Sequence, residues 1–341
     1  MLNAIYRLVE PRRFEVQWND IDLNEDLVIV RPTHLSICNA DQRYYQGKRA
    51  PEVLARKLPM ALIHEGIGEV VLDTRGEFKA GESVVMIPNT PVEEDDIIAE
   101  NYLRSSKFRA SGFDGFMQDS VALSRDRVVR LPEGIDKEIA AFTEFTSVCY
   151  HAINRFQDIA HSRRDSIGVW GDGNLAFIIA MILKIREPNA KLYIFGKHEE
   201  KLENFSFAEA TYHINEIPDE LTVDHAFECV GSSGAPKAIN QIIDHIVPEG
   251  TISILGVTEE LAPINTRMIL EKGLRVFGSS RSGRKDFEDT VRMYQEHPET
   301  IRYLECLVGN VVEINDMTDF STAFEADIHK AGGKTVMLWN K

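Results

Sequence analysis

The chain is 341 residues long, 43% hydrophobic and 27% charged, and its 54 acidic side chains against 38 basic ones leave a formal charge of −16. That length points to two domains rather than one core, and the apolar content excludes a disordered chain. So acidic a surface repels nucleic-acid phosphates and anionic lipid, and no apolar run reaches the ~18 residues of a membrane span, so neither nucleic acid nor membrane is an expected partner.

Residues 1–7 carry no apolar signal segment, and the four cysteines (Cys38, Cys149, Cys229, Cys306) form no C-x-x-C pair, so a reducing, cytoplasmic location is expected. Up to about residue 135 the chain predicts short strands, at 26–32, 68–72 and 83–88, punctuated by Gly, Pro and Asn as in an irregular β-barrel. The acidic run 93–96 predicts a solvated loop or helix start. Pro132-Glu133-Gly134 breaks the chain before helical periodicity over 137–154. From Ser166 the texture alternates: a strand at 167–170, a helix at 175–185, a strand at 191–195, then strands at 224–230, 251–255 and 275–277. Such alternation predicts βαβ units and a doubly wound parallel sheet, an α/β architecture. Helices at 286–296 and 317–326 and a strand at 334–339 close the chain, with no internal repeat.

Gly171-Asp172-Gly173-Asn174-Leu175-Ala176 directly follows an apolar strand and opens a helix, matching G-x-G-x-x-G/A. Gly171 suits the tight turn, Gly173 lets backbone approach a pyrophosphate, and Ala176 lets helix pack on strand; Asn174 and Leu175 bring free helix N-terminal N–H groups. The same turn also suits an α/β domain without a dinucleotide. At the end of the second strand, where NAD-binding folds carry an acid for the ribose 2′-hydroxyl, stands Gly196, followed by Lys197 and His198. Missing carboxylate and added cations favour a 2′-phosphate and hence NADP(H), unless Glu199 reaches the ribose. Gly231, Gly256 and Ser279 complete the candidate cofactor contacts.

Three further segments hold metal donors: Cys38 in Ser36-Ile37-Cys38-Asn39-Ala40-Asp41, His64 and Glu65 in Ile63-His64-Glu65-Gly66, and Glu144 in Ala140-Ala141-Phe142-Thr143-Glu144. Thiolate, imidazole and carboxylate all bind Zn²⁺, but these donors lie far apart in sequence, and each residue also suits an ordinary structural place.

These segments and the Gly-rich turn, in this order, resemble the zinc-dependent medium-chain dehydrogenase/reductase family, over nearly the whole chain. The resemblance implies a GroES-like catalytic domain over 1–145 and 281–341 and a Rossmann dinucleotide-binding domain over 146–280. It implies one catalytic zinc with Cys38 and His64 as ligands, Glu65 a ligand or close neighbour, Glu144 in the place of a further ligand, and Asp41 orienting His64. Longer strings (Arg31-Pro32-Thr33-His34-Leu35-Ser36-Ile37-Cys38, Ile87-Pro88-Asn89-Thr90-Pro91-Val92-Glu93-Glu94 and Gly278-Ser279-Ser280-Arg281-Ser282-Gly283-Arg284) resemble the branch that serves wall teichoic acid synthesis. That implies NADPH-dependent reduction of D-ribulose 5-phosphate to D-ribitol 5-phosphate, a homodimer, and a complex with the ribitol-5-phosphate cytidylyltransferase that makes CDP-ribitol.

Two departures from the family pattern stand out. The lobe over 88–112 holds no cysteine, so no structural zinc is expected there, and Ala40 stands where alcohol dehydrogenases carry a Ser or Thr proton relay. The proton must then travel by water, substrate hydroxyls, Glu144 or Tyr44. A phosphate-bearing substrate needs cations, for which Arg43, Lys48, Arg49, Arg104, Lys107 and Arg109 are candidates; Arg281 and Arg284 could face the cofactor instead, and Lys334 its pyrophosphate. Tyr44 is a candidate for a sugar hydroxyl. Two other functions fit fewer of these features: an NAD-dependent polyol dehydrogenase for an unphosphorylated sugar alcohol, and a non-catalytic cofactor-binding scaffold for a partner enzyme.

Overall fold

Val28, Ile29 and Val30 are fully buried and open the strand Val28–Ser36, the centre of the larger sheet of the first unit. The computed structural model describes all 341 residues and divides into two units, Met1–Ser147 with Ser282–Lys341, and Val148–Arg281. In the first unit the strand order is Val128–Arg130, Ser83–Met86, Glu65–Asp73, Val28–Ser36, Lys334–Trp339, Val308–Ile314, with Val121–Leu123 also pairing with Val28–Ser36. All these pairs are antiparallel except Lys334–Trp339 with Val308–Ile314. A second sheet sets Leu2–Glu10 between Arg13–Asp20 and Met60–Ala61. Leu8, Val30, Leu35, Met86, Phe116, Phe320, Phe324 and Met337 fill the core beneath them.

The chain pattern predicts only strands through this region, yet two seven-residue helices, Asn39–Tyr45 and Pro51–Lys57, interrupt it. Seven residues are too few to show a 3.6-residue period, so their signals are local. Cys38 is the N-cap of the first, and Asp41 reaches back to the Cys38 N–H; Pro51 starts the second. The acidic run 93–96 lies in exposed, irregular backbone. The lobe over 88–112 is held by ion pairing: buried Arg127 donates to both oxygens of Glu100 (2.9 and 3.1 Å) and to the Asn89 carbonyl (3.0 Å), and Glu100 also accepts the Arg284 N–H (2.7 Å).

The second unit is a six-stranded, wholly parallel sheet in the order Ala210–His213, Lys191–Gly196, Ser166–Trp170, Val223–Glu228, Ile246–Ile254, Arg275–Gly278. Order reverses beside Ser166–Trp170, and in such open sheets ligands bind at the carboxyl ends of the strands at this switch point. The helix Asn174–Arg186 has a continuous buried run from Ala176 to Leu183, as a helix covering a parallel sheet requires. No helix of the structure is long and apolar enough to cross a membrane.

Candidate active site

Cys38 caps one short helix, and His64 and Glu65 stand where the chain enters the strand Glu65–Asp73. The fold brings one donor atom from each of Cys38, His64 and Glu65 within 4.8 Å of one another. Sulfur, imidazole and carboxylate at that spacing fit a zinc ion, which takes three protein ligands in a catalytic site and keeps a position open. Glu65 supports the fit: it is fully buried, with a carboxylate oxygen within reach of the thiol and imidazole donors. Glu144 stands outside this three-donor group, on the first turn of the helix Thr143–Ile159.

Asp41 braces both donor-bearing segments. Its Oδ2 accepts the Cys38 N–H (3.1 Å), its Oδ1 accepts the Ile63 N–H (3.0 Å), and Oδ1 lies 3.6 Å from His64 Nδ1. Nδ1 therefore faces the acid and Nε2 is left for a metal. Ile63 has φ +69°, a left-handed conformation that β-branched residues rarely adopt. Two bonds hold it there, its N–H to Asp41 and its carbonyl to the Phe116 N–H (2.7 Å), so the backbone before His64 is fixed from both sides. Burial alone would lower the His64 pKa, but the Asp41 carboxylate and then Cys38 raise it well above its ordinary value when no metal is bound.

Two more ionisable groups meet here. Lys334 is buried and lies 2.8 Å from both oxygens of Glu65, with the Phe145 ring 5.0 Å from its ammonium. In the metal-free chain, therefore, Lys334 is an ion-pair partner of Glu65, and it is not among the residues lining the cofactor cavity. Burial pushes Glu144 up to about 7, with His64 pulling it down and Glu65 pushing it further up. A carboxyl poised near neutrality is suited to give or take a proton.

The candidate phosphate cations separate. Arg49 holds its guanidinium 5.2 Å from the centre of the Tyr44 ring, and Lys57, which no sequence motif singles out, holds its ammonium 5.9 Å from the same ring and donates to Ser111 Oγ (2.9 Å). Three residues before Ser111, the Phe108 ring packs 5.4 Å from the His64 ring. Arg43 lies on the Cys38-capped helix, and Lys48, Arg104 and Lys107 are exposed. Arg109 is taken up by the framework: its terminal nitrogens donate to the carbonyls of Asp114 (3.2 Å) and Ala122 (2.8 Å), and burial lowers its pKa to about 10. Arg284 is likewise engaged, with Glu288 (2.8 Å) and the Arg125 carbonyl (3.2 Å). Arg281 is exposed.

In the second unit a cavity of about 450 Å³ opens at the switch point. Gly171, Asp172, Gly173, Gly196, Lys197, His198 and Gly231 line it, joined by Ser232, Ser233 and Lys237. Asn174, Leu175, Gly256 and Ser279 are not among its walls. Gly171 has φ +135° and a Cβ there would press on the Cys229 carbonyl, so the turn needs glycine. The helix behind it has Gly173 as N-cap and no side-chain cap, leaving its first N–H groups open to a pyrophosphate. Glu228, fully buried, accepts the N–H groups of Val230 (2.9 Å), Gly231 (2.8 Å) and Gly256 (3.0 Å), tying together the loops after two strands. Lys197 and Lys237, together with the His198 ring, line the same cavity, so its residues fit a phosphorylated dinucleotide.

Comparison with known proteins adds the following. A family model described as alcohol dehydrogenase GroES-like domain matches residues 24–133, and one described as glucose dehydrogenase C-terminus matches residues 137–336. The chain is 54% identical over 339 residues, 99% of each sequence, to the ribulose-5-phosphate reductase of Bacillus spizizenii, and equally to ribulose-5-phosphate reductase 1 of Staphylococcus aureus. The crystal structure of S. aureus TarJ in complex with NADPH superposes with a TM-score of 0.91, at 49% identity and covering 100% of both chains. L-Idonate 5-dehydrogenase from Escherichia coli, at 20% identity and a TM-score of 0.85 over 99% of this chain and 98% of its own, shares the fold.

Proposed function

The chain belongs to the zinc-type medium-chain alcohol dehydrogenase family, and from that premise we propose that it is an NADPH-dependent reductase converting D-ribulose 5-phosphate to D-ribitol 5-phosphate. The observation that carries this reading is the convergence of Cys38, His64 and Glu65, in a chain alike over its full length to ribulose-5-phosphate reductases. Bound zinc supplies Lewis-acid polarisation of the C2 ketone, and bound NADPH supplies the hydride. Cys38, His64 and Glu65 would hold the metal, and Asp41, beside His64 Nδ1, leaves Nε2 for it. Glu144, poised near neutrality, holds the proton that the C2 oxygen needs, a role that Ala40 cannot fill. Arg49 and Lys57, flanking Tyr44, grip the substrate phosphate, and Tyr44 presents its hydroxyl to the sugar. Gly171, Gly173 and the open helix N-terminus take the cofactor pyrophosphate, and Lys197 and His198 take its 2′-phosphate.

The product is the ribitol phosphate from which a cytidylyltransferase makes CDP-ribitol for wall teichoic acid, so the enzyme works in the cytoplasm, as a homodimer and beside that transferase. Rates of NADPH consumption with ribulose 5-phosphate and with ribulose test the reading. Two charge-assisted contacts favour the phosphate ester by about 100-fold or more in kcat/KM. Equal efficiency on the two ketoses, or a preference for NADH, overturns it in favour of a polyol dehydrogenase.

A further inference from the structure

We propose that Asp172, the residue between the two glycines of the dinucleotide turn, is a positioning residue that gives the cofactor site its preference for a 2′-phosphate by orienting His198. The inference rests on the reading of this cavity as an NADPH site. One carboxylate oxygen of Asp172, Oδ2, accepts the N–H of Lys197 (2.6 Å) and the N–H of His198 (2.9 Å), and lies 2.9 Å from His198 Nδ1. Because a carboxylate only accepts, Nδ1 carries the proton, and Nε2 is the ring nitrogen left for a ligand. Burial opposes the charge on Asp172, but the two backbone N–H groups and then His198 hold its pKa below the ordinary carboxylate value, so the acid stays ionised beside the ring.

The placement accounts for Gly196 in a way that the missing acid alone does not. A Cβ on Gly196 would stand 2.7 Å from Asp172 Cβ and 2.9 Å from its Oδ2. The place at the strand end where an acid would serve a ribose hydroxyl is thus filled by a carboxylate from the neighbouring loop, turned toward backbone and imidazole. An acid so close to a 2′-phosphate would repel it if unpaired. Here its charge is matched by three N–H donors, the Lys197 and His198 N–H groups and the ring Nδ1–H, so the carboxylate is turned away from the ligand and the ring is held with Nε2 as its free edge. Lys197 and Lys237, the latter held 3.0 Å from Asn215 Oδ1, supply positive charge in the cavity. Lys197 owes its backbone position to the same carboxylate.

Dissociation constants of NADPH, NADH and 2′,5′-ADP, measured by titration calorimetry on the intact chain and on Asp172→Asn, Asp172→Ala, His198→Ala and the Asp172→Ala/His198→Ala double variant, test this, together with the ring ¹⁵N shifts of His198. Asp172→Ala weakens NADPH and 2′,5′-ADP about tenfold, the scale of one charge-assisted hydrogen bond, and leaves NADH within about threefold. Asp172→Asn, which keeps an acceptor for the two backbone N–H groups, folds as the parent does and shows a smaller loss of the same selectivity. The double variant binds NADPH no more weakly than the poorer single variant, because the two residues act as one unit. At a pH where the ring is neutral, the shifts report an Nδ1–H tautomer in the parent and Nε2–H in Asp172→Ala. Equal losses for NADPH and NADH, a larger loss for NADH because Asp172 serves the 2′-hydroxyl, or an unchanged tautomer each overturns the proposal. If the parent itself binds NADH as tightly as NADPH, the cofactor reading fails, and the tautomer comparison still decides whether Asp172 orients the ring.

Discussion

The ammonium of Lys334 lies 2.8 Å from each oxygen of Glu65, and both side chains are buried. The pair joins the last strand of the chain to the start of Glu65–Asp73, beside the thiol and imidazole of the donor cluster. Removing one partner leaves a buried charge uncompensated. Lys334→Met therefore costs about 3–5 kcal/mol in urea unfolding of the zinc-free chain, and adding Glu65→Gln recovers much of that loss. A double variant as unstable as the sum of the two singles would contradict the pairing.

Asp41 acts on three groups at once, the N–H groups of Cys38 and Ile63 and the His64 ring. Asp41→Ala should therefore weaken zinc binding about 10- to 100-fold in competition with a chromophoric chelator, with Cys38 and His64 both intact. Asp41→Asn keeps an acceptor and falls between the two. Unchanged zinc affinity in the alanine variant would separate Asp41 from the metal site.

Glu144 makes stability depend on pH. Its carboxyl titrates at about 7 in the folded, metal-free chain and at about 4.5 when exposed. Between those values the folded state holds a proton that the unfolded state has released, so stability falls as pH rises through the window and the penalty is complete above about 7. Glu144→Gln carries no such penalty. It should match the parent at pH 4 and exceed it at pH 8 by as much as about 3 kcal/mol in chelator-treated protein. Parallel stability curves for the two proteins from pH 4 to pH 8 would show that Glu144 titrates alike in the folded and unfolded chain and would contradict this.

Arg49 and Arg109 should fail differently. Arg49→Ala, and separately Lys57→Ala, should raise KM for ribulose 5-phosphate about tenfold or more while leaving kcat/KM for ribulose within about twofold. Arg109→Ala should instead lower the unfolding midpoint, because its guanidinium serves the Asp114 and Ala122 carbonyls. A selective effect of Arg109→Ala on the phosphate ester, with normal stability, would reverse the assignment.

Much of this architecture is legible from pattern. The buried runs of Ser166–Trp170 and Lys334–Trp339 are legible because strands covered on both faces carry few polar residues. The Gly171 turn is legible because a tight turn and a close backbone approach allow few residue types. The short helices Asn39–Tyr45 and Pro51–Lys57 are not, since their residues are held by capping and by the surrounding barrel rather than by period. At the candidate site, the meeting of Cys38 with His64 and Glu65 comes from pairing of distant strands, which spacing does not encode; resemblance alone suggested it. The roles of Lys57 and Asp172 are not legible in the sequence for a related reason. Each is an ordinary charged residue in sequence, and only the fold sets one beside Tyr44 and the other against His198. For Asp172 a signal existed, an acid inside the Gly-rich turn followed on the next strand by a glycine where an acid is usual.

Metal content and turnover in one preparation test the central claim most directly. The account predicts one zinc per chain by mass spectrometry, NADPH-dependent reduction of ribulose 5-phosphate that is lost on stripping the metal and restored by adding zinc, and neither bound zinc nor turnover in Cys38→Ser. Full turnover in the stripped protein, or in a zinc-free Cys38→Ser variant, would contradict it.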